Sequence, residues 1–521
     1  MSQSRVLRKI PQYFLPSLSQ MVFLIVFIAC FSGSGSFLLV DGDTGHHVRA
    51  GEIILKDLAV PRHDPFSFIM PPLPWTAHGW LSEVVMAIAH KVLGLPGIVF
   101  LFALLLSTTY WLLFRWIRSS GRNILVDLMI LVIVLLSSRV HWLARPHVFS
   151  LLLFVLLYQI LILHQEDRGN YLYLVPPMML AWVNLHGSFI LGFFFMGVFL
   201  TGCFMGVISS QGENRSIFAK KGMQLTLACF AAILAACVNP FGVDVFLFPF
   251  RLASESYLVD HVQEWMSPNF HDPVPYRYLL LLLIGILGLS KERITATELM
   301  LILPFTSMSL YSGRYIPLCA IVYSPILSKY GDILIQEYRG SGASLLRQRS
   351  RVYGEIDASA KGYVIPFFIL VFSAALAAGK IPVRFTEKTA PKAAIEFLRA
   401  NPIRGNMFNH DEIGDYVIFW LYPRYKVFVD GRMDIYGPTI LKEYHKVSSI
   451  EPGWMDVLDK YDINYIFSFT DSMLVRHLST DAGWREIYTD NVASIILRDT
   501  PENTEAIARY APGRMVPGKG R

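Results

Sequence analysis

Phe37-Leu38-Leu39-Val40-Asp41-Gly42-Asp43-Thr44-Gly45-His46-His47 is the stretch on which the reading of this chain turns. Four apolar residues close a long hydrophobic run, and two carboxylates, two imidazoles and two glycines follow at once. Charged side chains at the mouth of a membrane helix cost a few kcal/mol each unless solvated, paired or metal-bound, so such a cluster marks a candidate site. Gly42 and Gly45 are expected to let the backbone turn tightly and approach a ligand closely.

The rest of the 521 residues supports a membrane setting. Hydrophobic residues make up 53% and charged residues 17%, with a mean hydropathy of +0.43. A soluble enzyme carries roughly 25% charged residues, so the composition is that of a polytopic membrane protein. The net charge of +6 needs no nucleic acid, because basic cytoplasmic loops account for most of it. The five cysteines, Cys30, Cys203, Cys229, Cys237 and Cys319, fall in or beside apolar runs and form no CxxC pair. That excludes neither packing nor oxidation, but it argues against a disulfide framework or a thiolate metal site. The first apolar run lacks a small-residue cleavage site and reads as a retained helix.

Taken in order, the apolar runs predict spans over 18–40, 96–117, 123–138, 148–163, 171–183, 189–208, 225–238, 278–289, 299–310, 316–327 and 363–378. The count is about eleven. Arg5, Arg8 and Lys9 place the N-terminus inside, and the loops bearing Arg115, Arg118, Arg122, Arg215, Lys220, Lys221, Arg339, Arg347, Arg349 and Arg351 share that side. A first outer loop is expected over 41–80, with a short amphipathic helix over 47–55, and residues 81–93, carrying Glu83, read as an interfacial segment or as a lead into the span over 96–117. The expected domains are a membrane domain over 1–379, an outer α/β domain over 380–500 and a flexible end over 501–521. In the outer domain 391–400 and 438–447 read as helices, and 426–429, 463–469 and 492–497 as strands.

The polar clusters fall on one side: 41–47, 78–83, 139–147, 184–188, 239–242 and 311–315 all map to outer helix ends. A chemical site needs side chains converging on one pocket, whereas a secondary transporter places polar groups near mid-span. Each cluster has a plainer reading beside the chemical one. Asp41 and Asp43 suit an N-cap. His46 and His47 are metal ligands or, pointing about 100° apart, simply neighbours. Trp75, Trp80 and Trp142 are interfacial anchors or sugar platforms. Arg145 and Arg314 are phosphate forks or snorkelling residues, and Asn184 and His186 can bond the carbonyls of a helix end. Glu83 and Glu264 are weaker candidates for a second acid.

A first outer loop bearing Asp41-Gly42-Asp43, about eleven spans and an outer α/β tail together resemble the GT-C superfamily of membrane glycosyltransferases. Its members include oligosaccharyltransferase catalytic subunits, protein O-mannosyltransferases and the aminoarabinose transferases of lipid A. In the tail, Asn409-His410-Asp411-Glu412-Ile413-Gly414-Asp415-Tyr416-Val417 resembles the Trp-Trp-Asp-Tyr-Gly region of oligosaccharyltransferases, without its Trp-Trp pair. The 139–147 region has no second acidic pair.

The resemblance implies an α-helical polytopic enzyme that moves a sugar from a polyprenyl-phosphate or polyprenyl-diphosphate donor to an acceptor outside. The acceptor is a protein, lipid or glycan, and a bacterial inner membrane is the expected location. It puts Asp43, then Asp41, in the catalytic position. Negative charge growing on the departing phosphate is assigned to Arg145, Arg314, Arg139 and His147. His46, His47, His78, Glu83, Asn184, His186, Asp430, Arg432 and Asp434 are expected to line the donor or acceptor pocket. Asp41 and Asp43 are candidate ligands for Mg²⁺ or Mn²⁺. The competing readings are a flippase of a lipid-linked saccharide and a non-catalytic assembly component. The sequence has no P-loop, GxSxG elbow or HExxH helix, which argues against an ATPase, serine hydrolase or zincin.

Overall fold

A computed structural model describes residues 12–32, 37–254, 257, 261, 263–360, 362–379 and 382–510. Arg5, Arg8 and Lys9, on which the orientation rests, lie outside the described residues, as does 511–521 of the expected flexible end. The chain divides into two compact units: Met1–Leu38 with Leu93–Pro382, and Leu39–Val92 with Val383–Arg521. The first outer loop, read from sequence as part of the membrane domain, thus falls in one unit with the tail.

The first unit is helical and apolar. Among the described residues six helices are long and apolar enough to cross a membrane: Leu95–Arg118, Ile124–His141, His147–Gln165, Phe189–Ser209, Gly212–Ala236 and Gly313–Glu337. The bent pair Ser341–Ser359 and Val364–Ala378 makes a seventh if it counts as one span, and Leu18–Phe31, Leu172–Leu185 and Pro275–Leu289 are shorter apolar helices. The chain is an integral membrane protein, while the count of about eleven is not reached by length and composition.

Local chemistry sets the helix ends. The Asn123 side chain accepts the amides of Leu125 (3.0 Å) and Val126 (3.4 Å), and Thr295 with Glu298 forms a capping box at Ala296–Tyr311. Phe154, Trp182, Phe195 and Phe305 pack edge-on in the core. Two expected inside loops are helical instead. Arg215, Lys220 and Lys221 belong to Gly212–Ala236, where Lys221 reaches the Gln165 carbonyl (2.7 Å) and Asp167 (2.6 Å). Arg347, Arg349 and Arg351 belong to Ser341–Ser359.

The second unit is α/β. Its sheet has strands β1 (Asn406–Asn409), β2 (Ile463–Phe469), β3 (Trp484–Thr489) and β4 (Ala493–Arg498), in the order β1-β2-β4-β3. β1 runs parallel to β2, and β4 is antiparallel to both β2 and β3. The inner strands β2 and β4 are buried on both faces, as two covered faces require. Helices Asp411–Leu421, Met433–Ser448 and Trp454–Lys460 fill the crossover from β1 to β2.

The expected strand over 426–429 is not one of these. The Asn409 side chain takes the Phe428 amide (2.8 Å) and the Val429 carbonyl (2.7 Å), so a side chain occupies the place of a neighbouring strand. On its other edge Val427 exchanges backbone bonds with Phe66 (3.1 Å) and Phe68 (3.2 Å). The expected loose end is also ordered through 510, as a 3₁₀ turn Pro501–Asn503 and a helix Thr504–Tyr510. Asn503 holds it by bonds to the Asn464 side chain (2.7 Å) and the Arg498 carbonyl (2.8 Å).

Candidate active site

The site of the second unit is made by two helices distant in sequence. Asp43–Asp57 opens at Gly42, and the Asp41 carboxylate accepts the Asp43 amide at 3.2 Å. Asp41 therefore takes the capping role. Asp411–Leu421 leaves β1 through His410, whose Nδ1 accepts the Glu412 amide at 3.3 Å. A Cβ at Gly42 would stand 2.7 Å from the Asp415 Cβ, and one at Gly45 would stand 2.8 Å from the Phe419 Cβ. The glycines thus serve helix–helix contact. They do not make the tight turn expected from sequence, since Gly42 has ordinary helical angles (φ −78°, ψ −19°). Arg49 ties the pair by donating to the Phe419 carbonyl (2.8 Å).

This approach brings together Asp43, His46 and Asp415, whose donor atoms lie within 4.8 Å of one another. His46 Nδ1 meets Asp415 Oδ1 at 2.6 Å, with both residues buried. Asp415 Oδ2 accepts the Gly431 amide at 3.1 Å, and a Cβ at Gly431 would collide with the carboxylates of Asp43 and Asp415. Burial and the neighbouring Asp430 carboxylate push Asp415 well above the usual carboxylate range. Burial also lowers the His46 imidazole. Burial thus disfavours the charged form of both partners across this short contact.

Behind this group lies a second charged knot. Arg432 donates to Asp430 through Nε (2.9 Å) and Nη2 (2.6 Å), and Nη2 also reaches Asp64 (2.7 Å). Its guanidinium lies against the rings of Phe66 (4.7 Å) and Trp75 (4.8 Å). The Tyr436 hydroxyl donates to Asp430 at 2.7 Å. Burial would raise Asp430, but Arg432 overcomes it and holds the carboxyl below its ordinary value. Asp430 and Arg432, expected as pocket contacts, are 0% and 5% exposed. They act as internal scaffolding, and Trp75 serves as a platform for Arg432.

Glu83 Oε1 meets His47 Nδ1 at 3.1 Å, while Oε2 is buried without a hydrogen-bond partner among the described residues. Burial pushes the carboxyl up to about 7, against the pull of His46 and Arg432 and with Asp434 adding to the rise. Asp434 therefore belongs to the surroundings of Glu83. His78 stands in the turn before Trp80–Leu93 and contacts the Thr76 carbonyl (3.2 Å). A carboxyl raised in the folded state contributes stability at low pH and loses it as pH climbs through the folded value. Glu83→Gln is accordingly expected to raise the unfolding temperature relative to wild type at about pH 8, and to lose that advantage at about pH 5. Equal differences at both pH values would count against the burial argument.

In the membrane unit Arg145 Nη1 pairs with Glu264 at 2.5 Å. Arg314 lies over the Trp265 ring (4.4 Å). Burial would raise Glu264, yet Arg145 and Arg314 hold it at about 2. His147 Nε2 donates to the His141 carbonyl (2.8 Å), and the His147 and His186 rings are 6.5 Å apart. His186 Nδ1 meets the hydroxyls of Ser188 (2.8 Å) and Ser150 (3.2 Å). Asn184 donates to the carbonyls of Leu180 (2.9 Å) and Val238 (3.0 Å), the plainer of its two readings. Trp142 is buried, donating to the Tyr110 hydroxyl (3.2 Å). Arg139 does not join this group: it is exposed over the Phe37 ring (5.7 Å).

Sequence reasoning missed Asp415 and Asp64 as site residues and gave Glu264 a lesser part. A signal for the first was present, since Gly42-Asp43, Gly414-Asp415 and Asp430-Gly431 each set a carboxylate beside a glycine. These are the three segments that converge.

No family model and no curated protein matches the chain. Among solved structures it is similar to the oligosaccharyltransferase of Archaeoglobus fulgidus in its apo form, with a TM-score of 0.53 and 10% identity over 93% of this chain and 74% of that one. At that identity the likeness is one of fold alone.

Proposed function

We propose that this protein is a membrane glycosyltransferase that moves a sugar from a polyprenyl-phosphate or polyprenyl-diphosphate donor to an acceptor on the outer face of the membrane. The observation that carries the reading is the Asp43–His46–Asp415 group, gathered on a GT-C-like fold. Sugar transfer needs a carboxylate to take a proton from the acceptor or to polarise it. Asp43 is half-buried while His46 and Asp415 are buried, so Asp43 is the member able to meet an acceptor and the other two position it.

The donor set of two carboxylates and one imidazole fits a divalent ion such as Mg²⁺ or Mn²⁺. Asp43, His46 and Asp415 would hold it, with Asp415 taking the place of Asp41 in the set of Asp41, Asp43 and a histidine expected from sequence. When bound it would supply positive charge where negative charge develops. Metal ligands bind in their deprotonated forms, so uptake there would compete with protons. In the membrane unit Arg145 and Arg314, with His147, are the cations suited to the donor phosphate. A phosphate on Arg145 would replace the Glu264 carboxylate now on that side chain. The proposed setting is a bacterial inner membrane, with the N-terminus inside, the tail outside and the shorter apolar helices serving as additional spans.

The test is release of radiolabelled sugar from polyprenyl-phosphate donors by protein in nanodiscs, for wild type and Asp43→Asn, with and without EDTA. Release that needs Asp43 and falls with EDTA is expected. Donor binding without any release would sink the reading and favour a flippase or an assembly component.

A further inference from the structure

The helix Ser341–Ser359 of the membrane unit has a design that sugar transfer does not explain. It runs between the Ile316–Glu337 and Val364–Ala378 helices and makes an angle of 65° with the latter. Its Ser350 hydroxyl accepts the Ile124 amide (3.0 Å) and its Asp357 carboxylate accepts the Leu18 amide (2.6 Å), at the first turns of two further apolar helices. Its Arg347 donates to the carbonyls of Ile335 (2.6 Å) and Tyr338 (3.0 Å), where Ile316–Glu337 ends. The ends of apolar helices thus hold it from several sides. A helix held so lies along the plane where spans leave the bilayer.

Its faces divide into three arcs. Ala343, Arg347, Ser350, Gly354 and Asp357 recur at spacings of four and three and turn toward the protein, all buried or half-buried. Beside them lies an apolar arc of Leu345, Val352 and Ile356, flanked by Leu346 and Tyr353. Leu345 is 53% exposed and Val352 47%. Arg349 sits within this arc, and Arg351, Ser344, Gln348 and Glu355 form the third, polar arc. An exposed apolar arc with one arginine inside it and a second on the polar arc, on a helix held at span ends, is the pattern of an interfacial anchor.

We propose that Ser341–Ser359 is an in-plane anchor whose apolar arc enters the boundary between headgroups and acyl chains, and whose Arg349 and Arg351 bind the phosphates of anionic lipids. The long stem of Arg349 lets its charge reach the headgroups from within the apolar arc. Arg122, two residues before Ile124, and Arg339, two before Ser341, add positive charge near the ends of the spans that hold this helix. Such charge favours anionic lipid over a neutral headgroup. The continuity of the apolar arc with the spans favours a lipid surface over an acidic protein.

The test uses the full chain in nanodiscs of mixed phosphatidylcholine and phosphatidylglycerol, with retained lipids counted by native mass spectrometry. Wild type is expected to retain phosphatidylglycerol preferentially, and Arg349→Gln and Arg351→Gln to weaken that preference roughly fivefold each. Both residues are exposed and lie outside the carboxylate site, so the variants fold. An unchanged preference in the double variant overturns the proposal. In a second arm Val352→Cys and Gln348→Cys are labelled with a water-soluble maleimide, and the wild-type background is subtracted. Gln348→Cys is expected to react and Val352→Cys to be shielded. Equal labelling overturns bilayer contact and leaves the face to a protein partner. Neither readout depends on sugar transfer, so failure here is distinct from failure of the enzymatic reading.

Discussion

Arg432→Met is expected to destabilise the second unit by about 3–5 kcal/mol, because it leaves two buried carboxylates without their cation. Methionine keeps an unbranched stem against Phe66 and Trp75, so most of the packing survives and the loss is one of charge. Asp430 and Asp64 share Nη2 of Arg432, and both are buried. Asp64 has two backbone donors in reserve, the amides of Phe66 and Ser67, each at 3.0 Å. Asp430 keeps the Tyr436 hydroxyl (2.7 Å) and the Arg432 amide (2.9 Å), neither of which carries a charge. The larger part of the penalty therefore falls on Asp430. Adding Asp430→Asn to Arg432→Met is expected to recover stability, since a neutral amide no longer needs the cation. Thermal unfolding of the purified protein would read both effects. A single-variant cost below about 1 kcal/mol, or a double variant no better than the single, would remove the knot from its supporting role.

Why some of this was legible in sequence and some was not follows from the range of the forces involved. The apolar helices announce themselves because membrane burial acts on every residue of a run. The helices Leu95–Arg118 and Phe189–Ser209 fall within a residue or two of where the hydropathy places them. Sheet pairing acts between residues far apart. Lys426-Val427-Phe428-Val429 has the β-branched and aromatic residues of a strand, yet its partner on one edge is the Asn409 side chain, a tertiary contact that no local pattern carries. Asp430 and Arg432 read as a loop-borne pair open to an acceptor. Only the folded chain shows Phe66, Trp75 and Asp64 closing over them. Asp43 was legible because a carboxylate after an apolar run is costly wherever it lies. Asp415 was not: its meaning rests on contact with His46, 369 positions away in sequence.

That long-range contact makes the second large effect a coupled one. Asp43→Asn and Asp415→Asn are each expected to cut sugar release by about 10²–10³-fold, the range seen when one group stabilising a transition state is lost. The double variant is expected to fall little further, since residues that act as one unit are far from additive. Asp43 alone would be the base, but its direction depends on the Gly42 and Gly45 contact with Asp411–Leu421 and on the Gly431 amide that anchors Asp415. Asp415→Asn keeps an oxygen for that amide and loses the ionisable carboxyl, so it separates acid–base character from shape. Gly431→Ala does the opposite: it leaves every charge in place and drives a methyl group into both carboxylates. If Asp415→Asn and Gly431→Ala each match the loss of Asp43→Asn while donor binding persists, the three segments work as one catalytic device. If Asp43→Asn alone is inactive and Asp415→Asn is near wild type, Asp415 is structural and the base works without it.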